Sequence, residues 1–314
     1  MSNEQENPLV SVVIPTYKRP DMLGRAIDSV LNQTYDNIEI VVVDDNDEDS
    51  EYRKETEEFM DKYADNDNLV YLKHTENKGG SAARNTGIKT SEGEYIAFLD
   101  DDDIWVNTKL KKQIEVFKNN NNLGLVYCRM YSFKNNTGEV YHKKKIKLVN
   151  GSIYTDMLEM NYIGTPTALV KKICFQKVGL FDIELLSRQD HDMFLRISKN
   201  YDIDYVDEFL VKFSSHDNKI SRNINSKEKG WKIFLSKWEN ELNEFPKEKK
   251  KLYDNYYFEM AKLYYKNNSY NKAKIFSKKM IKNNIVNYKG LVIFILSIFE
   301  IDINLHNLKE KFNI

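Results

Sequence analysis

The sequence predicts an α/β fold, a mostly parallel sheet covered by helices on both faces, with an α-helical appendage at the C-terminal end. Three observations carry this. Short apolar runs alternate with helix-period segments through the first hundred residues, the pattern of a parallel sheet buried on both sides. Three of those runs end in polar, ligand-like residues, which a parallel sheet would bring to one edge. From about Ser226 onward the strand signal stops and only helical spacing remains.

The elements follow in order. Leu9 to Ile14 is a first buried strand, which Pro15 is expected to stop. Pro20 and Asp21 open a helix with Met22, Leu23, Ala26, Ile27, Val30 and Leu31 at helical spacing. Ile38 to Val43 is a second strand and runs into Asp44-Asp45-Asn46-Asp47. Glu51 to Ala64 reads as a polar helix and Leu69 to Leu72 as a third strand. Asn77-Lys78-Gly79-Gly80 turns into a helix carrying Ser81 to Asn85, a helix N-terminus suited to phosphate. Tyr95 to Leu99 is the fourth strand, followed at once by Asp100, Asp101, Asp102 and Asp103 with no cation between them. Four carboxylates directly after a buried strand repel one another unless a cation neutralises them. Mg²⁺ and Mn²⁺ are the hard divalent ions that carboxylate oxygens suit.

Composition sets outer bounds. The chain of 314 residues is 41% hydrophobic and 30% charged, as soluble globular proteins are. Its net charge of −1 hides an asymmetry, since Lys227 to the end holds 18 Lys against 10 acidic residues, a net +8 that leaves −9 on the remainder. An acidic body argues against nucleic acid as its partner. Cys128 and Cys174 both sit in apolar contexts, which suits a reducing compartment rather than a disulfide framework. The first residues show no basic-then-apolar signal pattern, and no apolar run reaches the ~20 residues of a membrane span. A cytoplasmic protein is expected.

The ordered set of motifs resembles the inverting, nucleotide-sugar-dependent glycosyltransferases of family 2, whose fold is GT-A, a Rossmann-like arrangement. The matching segments are Ser11 to Arg19 (SVVIPTYKR), Ser29 to Tyr35 (SVLNQTY), Val42 to Asp45 (VVDD), Asn77 to Asn85 (NKGGSAARN), Phe98 to Asp103 (FLDDDD), Gly179 to Asp182 (GLFD) and Gln189 to Asp192 (QDHD). They span about residues 8–222. The resemblance implies a catalytic domain over 1–225, with a nucleotide-sugar half at about 8–105 and an acceptor half at about 106–225, and a helical region over 226–314.

It also implies roles. Pro15, Thr16 and Tyr17 line the nucleobase pocket with Arg19 close by. Asp44 or Asp45 accepts from the uracil imide, and Arg84 approaches the base or diphosphate. Asp100 and Asp102 form the DxD-type pair, Asp100 toward ribose or metal and Asp102 on the metal, with Asp101 grouped among the nucleotide ligands. His216 resembles a late histidine that closes over diphosphate or metal. Asp190 takes the position of the catalytic base. Relatives often carry Glu-Asp where this chain has Gln189-Asp190, but the base is the second residue of the pair. The implied cofactor is Mn²⁺ or Mg²⁺, the donor a UDP-sugar and the acceptor a glycan or lipid-linked hydroxyl, in bacterial surface or lipid-linked glycan synthesis.

Plainer readings stand beside these. Arg84 also suits a helix salt bridge, and Asp190 and Asp192 suit a helix's first turn, where the dipole favours acids. His191 is structural or acceptor-facing, Gly164 to Thr167 lines the acceptor side, and His142 to Lys145 is a solvated hairpin end. A sugar nucleotidyltransferase would need a Gly-rich, Arg-containing loop after the first strand, and a dinucleotide oxidoreductase a G-x-G-x-x-G; Pro15 to Arg19 is neither. A catalytically inactive carbohydrate-binding module would be expected to lose carboxylates that are all present. In the tail, Trp231, Phe234, Leu235 and Trp238 share a helix face, and Tyr253 to Tyr265 pairs with Tyr270 to Ile281. Leu291 to Phe299 is either a core helix or, with its lysines, a peripheral membrane contact on the inner face of the cell membrane. A subunit contact in a homodimer is the further alternative.

Overall fold

The computed structural model describes residues 7–134, 140–142, 147–215, 224–283 and 288–298. Strands β1 (Val10–Thr16), β2 (Ile38–Asp44), β3 (Leu69–Lys73) and β4 (Tyr95–Phe98) are linked by helices α1 (Pro20–Leu31), α2 (Glu51–Met60) and α3 (Gly80–Thr90). All four are parallel, in the order β3-β2-β1-β4. The chain adds strands on one side of β1 and then crosses to the other for β4. A crevice therefore opens between the C-terminal ends of β1 and β4, the place where open α/β sheets take ligands.

The rest of this unit is β5 (Ile104–Trp105), α4 (Lys109–Phe117), β6 (Leu123–Lys134), β7 (Val140–His142), α5 (Tyr154–Glu159), β8 (Leu169–Lys171), α6 (Lys172–Val178), α7 (Gln189–Ser198) and β9 (Asp202–Ser215). Together they extend the sheet to nine strands among the described residues, in the order β3-β2-β1-β4-β8-β6-β9-β5 with β7 beside β6. Beyond β4 the sheet is mixed, as β8 runs antiparallel to both β4 and β6.

Both faces are covered. Val10, Val12 and Ile14 pack with Leu23, Ile27 and Val30 of α1 and with Leu110 and Ile114 of α4. On the opposite face Val41 and Val43 meet Ala83 of α3, while Phe98 meets the rings of Phe175 and Phe181 edge-on.

One boundary differs from expectation. Pro15 does not end β1; it pairs in register with Val43, and Thr16 with Asp44. Val13 accepts from Leu99 N–H at 3.0 Å, so it faces β4, and Pro15, two residues on, faces the same side. The last β4 partner is Phe98, opposite Val13, so the missing proline N–H ends the ladder with β4 while β1 goes on pairing with β2.

A second compact unit comprises helices α8 (Ile224–Lys237), α9 (Glu239–Glu244), α10 (Pro246–Lys266), α11 (Tyr270–Asn283) and α12 (Tyr288–Ile298), and it also takes in Leu158–Met160 and Leu185–Arg188. Its core is aromatic. Trp231 lies 5.1 Å from Tyr256, Tyr256 lies 5.7 Å from Phe276, and Phe276 stacks on Tyr264 at 5.6 Å. No helix among the described residues is long and apolar enough to cross a membrane.

Candidate active site

The sheet register brings the polar strand ends together. Thr16 Oγ1 donates to Asp101 Oδ2 at 2.9 Å, and Tyr17 N–H donates to the same oxygen at 3.3 Å. Arg19 Nη1 bridges Asp101 Oδ1 at 2.8 Å and Asp102 Oδ2 at 3.1 Å. Arg84, in the second turn of α3, holds Asp100 Oδ1 at 2.6 Å. Asp100, Asp101 and Asp102 thus share two guanidinium groups. Burial pushes the Asp101 carboxyl up to about 7; Arg19 pulls it down while Asp102 and Asp100 push it further up. Asp103 turns away and accepts the Ser214 N–H at 2.9 Å, pinning the acidic turn to β9.

The Asp44-Asp45 doublet divides. Asp44 is fully enclosed: Oδ1 accepts Asn46 N–H at 2.9 Å and Asn46 Nδ2 at 2.7 Å, and Oδ2 meets Tyr71 OH at 2.6 Å and Arg53 Nε at 3.0 Å. It braces the β2 loop, with both oxygens engaged inside the protein. Asp45 instead reaches the loop before α3, accepting Lys78 N–H at 2.9 Å, Gly79 N–H at 2.8 Å and His74 Nδ1 at 2.7 Å. With Nδ1 donating to that carboxylate, Nε2 accepts from Thr86 Oγ1 at 2.8 Å. Gly79 has φ +86°, the left-handed region glycine takes readily, and this φ lets the loop present its amides at the helix start.

Asp190 lies in the first turn of α7. Its Oδ2 accepts Asn161 Nδ2 at 3.0 Å and its Oδ1 accepts His191 N–H at 2.8 Å. Asp192 is different: it is buried and holds Arg196 through Nε at 3.0 Å and Nη2 at 2.8 Å. His191 is buried and donates Nε2–H to the Met157 carbonyl at 2.6 Å, so it is structural. Arg196 also donates to the carbonyls of Val178 and Leu180 at 2.6 and 2.9 Å. The next residue, Phe181, exchanges backbone bonds of 2.8 and 2.9 Å with the side-chain amide of Asn85 and lies under Arg84 at 5.9 Å. An unbroken set of contacts therefore links α7 to the Arg84–Asp100 pair.

His216 lies outside the described residues. Among those described, no three His, Cys, Asp or Glu side chains converge as a ready metal cage. Asp100 and Asp102 offer hard oxygen donors in a crowded anionic turn, which fits a cation that also draws ligands from a diphosphate and water.

Sequence reasoning missed the supporting residues. Arg53 is buried and donates Nη2 to the carbonyls of Asn46 and His74, the latter at 2.7 Å. On a helix as charged as α2 nothing marks Arg53 as the one that turns inward. Asn161 lies in a loop with no periodicity to expose it.

The family profile described as glycosyl transferase family 2 matches residues 11–175. An uncharacterized glycosyltransferase of Methanocaldococcus jannaschii is 31% identical over 250 residues, 76% of this chain and 83% of that protein. Another, from Rickettsia typhi, is 35% identical over 251 residues, 76% of this chain and 74% of its own length. Among solved structures, S. aureus TarS 1–349 in complex with UDP superposes with a TM-score of 0.55 at 16% identity, covering 92% of this chain and 90% of that one. The mannosyltransferase PcManGT from Pyrobaculum calidifontis, in complex with GDP-Man and Mn²⁺, gives a TM-score of 0.54 at 16% identity over 72% of this chain and 62% of that one.

Proposed function

The chain belongs to glycosyl transferase family 2, and from that premise we propose that it moves a sugar from a UDP-sugar to an acceptor hydroxyl with inversion at the anomeric carbon, in surface or lipid-linked glycan synthesis. The observation that carries this reading is the Asp100–Asp102 turn, set at the β1–β4 crevice beside Arg84 and the N-terminus of α3. Solved neighbours in complex with UDP, UDP-GlcNAc and GDP-Man support a nucleotide-sugar donor in general.

In the proposed arrangement Tyr17 and Asp45 flank the nucleobase. Thr16 and Asp101, bonded to each other, fix the floor on which it rests. Arg84 and the α3 N-terminus face the diphosphate, where a guanidinium and free helical amides favour anions. Asp100 and Asp102 would hold a divalent cation, which when bound supplies Lewis-acid stabilisation of the departing diphosphate. Asp190 takes the proton of the acceptor hydroxyl as its oxygen bonds to the anomeric carbon, while the bond from that carbon to the diphosphate oxygen breaks and the electron pair leaves with the diphosphate. Asn161 and the His191 N–H orient the Asp190 carboxylate for this step.

The test is UDP binding with and without Mn²⁺. Wild type should bind UDP more tightly with Mn²⁺, whereas Asp102→Ala should lose the metal dependence and keep its folded circular-dichroism spectrum. Equal UDP affinity in wild type with and without Mn²⁺ would sink the cation assignment.

A further inference from the structure

The segment 178–181 closes α6 and lies in the same compact unit as α3 and α7. Each of its four carbonyls accepts a side-chain N–H. Arg196 Nη1 donates to Val178 O at 2.6 Å and to Gly179 O at 3.3 Å, and Nη2 donates to Leu180 O at 2.9 Å. Asn85 Nδ2 donates to Phe181 O at 2.8 Å, and Asn85 Oδ1 accepts the Phe181 N–H at 2.9 Å. Two side chains thus hold the whole segment, one from α3 and one from α7.

Each clamp adjoins one end of the site. Asn85 follows Arg84, which holds Asp100 at 2.6 Å. Arg196 is locked from behind by Asp192, one helical turn before it, which is fully buried and accepts from Nε and Nη2 at 3.0 and 2.8 Å. Asp190 stands two residues before Asp192. A cation capping the C-terminal end of α6 would account for the bonds to Val178 and Gly179, but the bonds to Leu180 and Phe181 go beyond what a cap needs. Met193, Phe194, Leu195 and Ile197 are wholly buried and fasten α7 to the core, yet apolar burial is non-directional. Hydrogen bonds weaken steeply off their axis, so they are suited to fix how α7 is turned and shifted.

We infer that Asn85 and Arg196 are positioning residues, which through the segment 178–181 set the place of Asp190 relative to the Arg84–Asp100 pair. The inference rests on Asp190 being the general base. In-line transfer needs the base at the acceptor oxygen and the Arg84–Asp100 side at the departing diphosphate at the same moment, so the two ends of the site must keep a fixed separation. Neither Asn85 nor Arg196 needs to touch substrate. Misplacement of a catalytic group by about 1 Å costs up to about a hundredfold, so two polar clamps on one short segment are enough to govern the rate.

The test uses the full-length protein with Asn85→Ala and with Arg196→Lys, which keeps a charge beside Asp192 but loses the planar fork. Hydrogen–deuterium exchange needs no donor. Asn85→Ala frees the Phe181 N–H directly, and exchange should also rise across 193–198 of α7; Arg196→Lys should in turn raise exchange at Phe181. UDP affinity in Mn²⁺ should stay at the wild-type value in Arg196→Lys. Nucleoside diphosphate release should be followed from whichever of UDP-GlcNAc, UDP-Glc and GDP-Man the wild type hydrolyses fastest. Its kcat should fall about tenfold in Arg196→Lys at constant donor KM, within the range that misplacement costs. The double variant should lose no more than the worse single one, and adding Arg196→Lys to Asp190→Asn should cause no further loss. Unchanged exchange in α7 on Asn85→Ala, losses that multiply in the double variant, or the same fold-loss in the Asp190→Asn background overturns the inference. A near-normal rate in Asp190→Asn alone removes the general-base reading and this inference with it. Loss in Asp190→Asn with no effect from either clamp variant removes the inference only.

Discussion

At the scale of single residues, burial and partners separate side chains that look alike in sequence. Asp190 and Asp192 share one helical turn, yet Asp192 is enclosed against Arg196 and Asp190 is held by an amide that leaves its carboxylate partly exposed. Asp190→Asn should therefore cut sugar transfer by roughly two orders of magnitude or more, the scale of general-base catalysis, with UDP affinity preserved. Asp192→Asn should instead lower the melting temperature, and near-normal transfer by Asp190→Asn would move the base elsewhere. Lys109 offers a second case. It is wholly buried, with Nζ 3.8 Å over the Trp105 ring and donating to Gln113 Oε1 at 2.7 Å, and burial pulls its pKa down to about 8. An unfolded lysine keeps its proton to about 10.5, so between the two values the unfolded chain binds more protons and unfolding free energy rises with pH. The burial cost is thus fully present below pH 8 and relieved above it, by at most about 1.4 kcal/mol per pH unit. The buried thiols of Cys128 and Cys174, pushed up by burial to about 11 and about 12, oppose this as pH passes 9. Urea midpoints at pH 8 and pH 9 should therefore rise in wild type relative to Lys109→Met; parallel behaviour of the two proteins would contradict a depressed lysine.

At the scale of elements, α3 is placed by a contact that admits no side chain. A Cβ on Gly87 would lie 2.2 Å from Val13 Cγ1 and 2.9 Å from Cγ2, so the helix rests on β1 only because position 87 is glycine. Val13 is β-branched and stiff, and cannot swing aside. Gly87→Ala should cost about 1–3 kcal/mol, the usual range for overpacking, and shift Arg84, three residues earlier in the same helix. Thermal melts should show the loss, and Val13→Ala in the same chain should recover part of it. Simple addition of the two losses would show that the contact is not the cause. The spacing of α3 in the sequence announces a helix start near Gly79 and Gly80, but it carries no sign of which strand residue lies beneath Gly87.

At the scale of the whole molecule, the basic tail and α12 bear on where the protein works. α12 buries Ile293 and Leu296 and leaves Leu291, Ile295 and Ile298 exposed, so it is amphipathic and too short to cross a bilayer. One face of the helix is packed as a core helix would be, and the other is exposed. Peripheral binding to anionic vesicles is expected, each lysine near the surface contributing about 1 kcal/mol and the attraction weakening with salt. Full-length protein should co-sediment with phosphatidylserine-containing vesicles at low salt, and a Leu291→Ser, Ile295→Ser, Ile298→Ser variant should lose the salt-insensitive part. If wild type ignores such vesicles, the exposed face is a subunit contact and sedimentation velocity should show a dimer. Truncation before α8 is a poor substitute for these variants, because it would also strip Arg188 and Glu159 of their α10 partners.

The alternation of buried runs and amphipathic helices, the acidic turn after the fourth strand and the glycine-opened helix were all legible in the sequence, because each depends on neighbours within one or two turns of chain. The parallel order of the first four strands and the shared edge of their polar ends follow from that local pattern. Tertiary structure alone gave Asp44 and Asp45 their different partners, since Arg53, Tyr71 and His74 come from separate elements. It alone placed Asn161 against Asp190 and drew Leu158–Met160 and Leu185–Arg188 into the helical unit. Hydrophobic periodicity records which face of an element is buried, whereas hydrogen bonds between polar residues far apart in sequence depend on where the elements meet, and no local pattern encodes that.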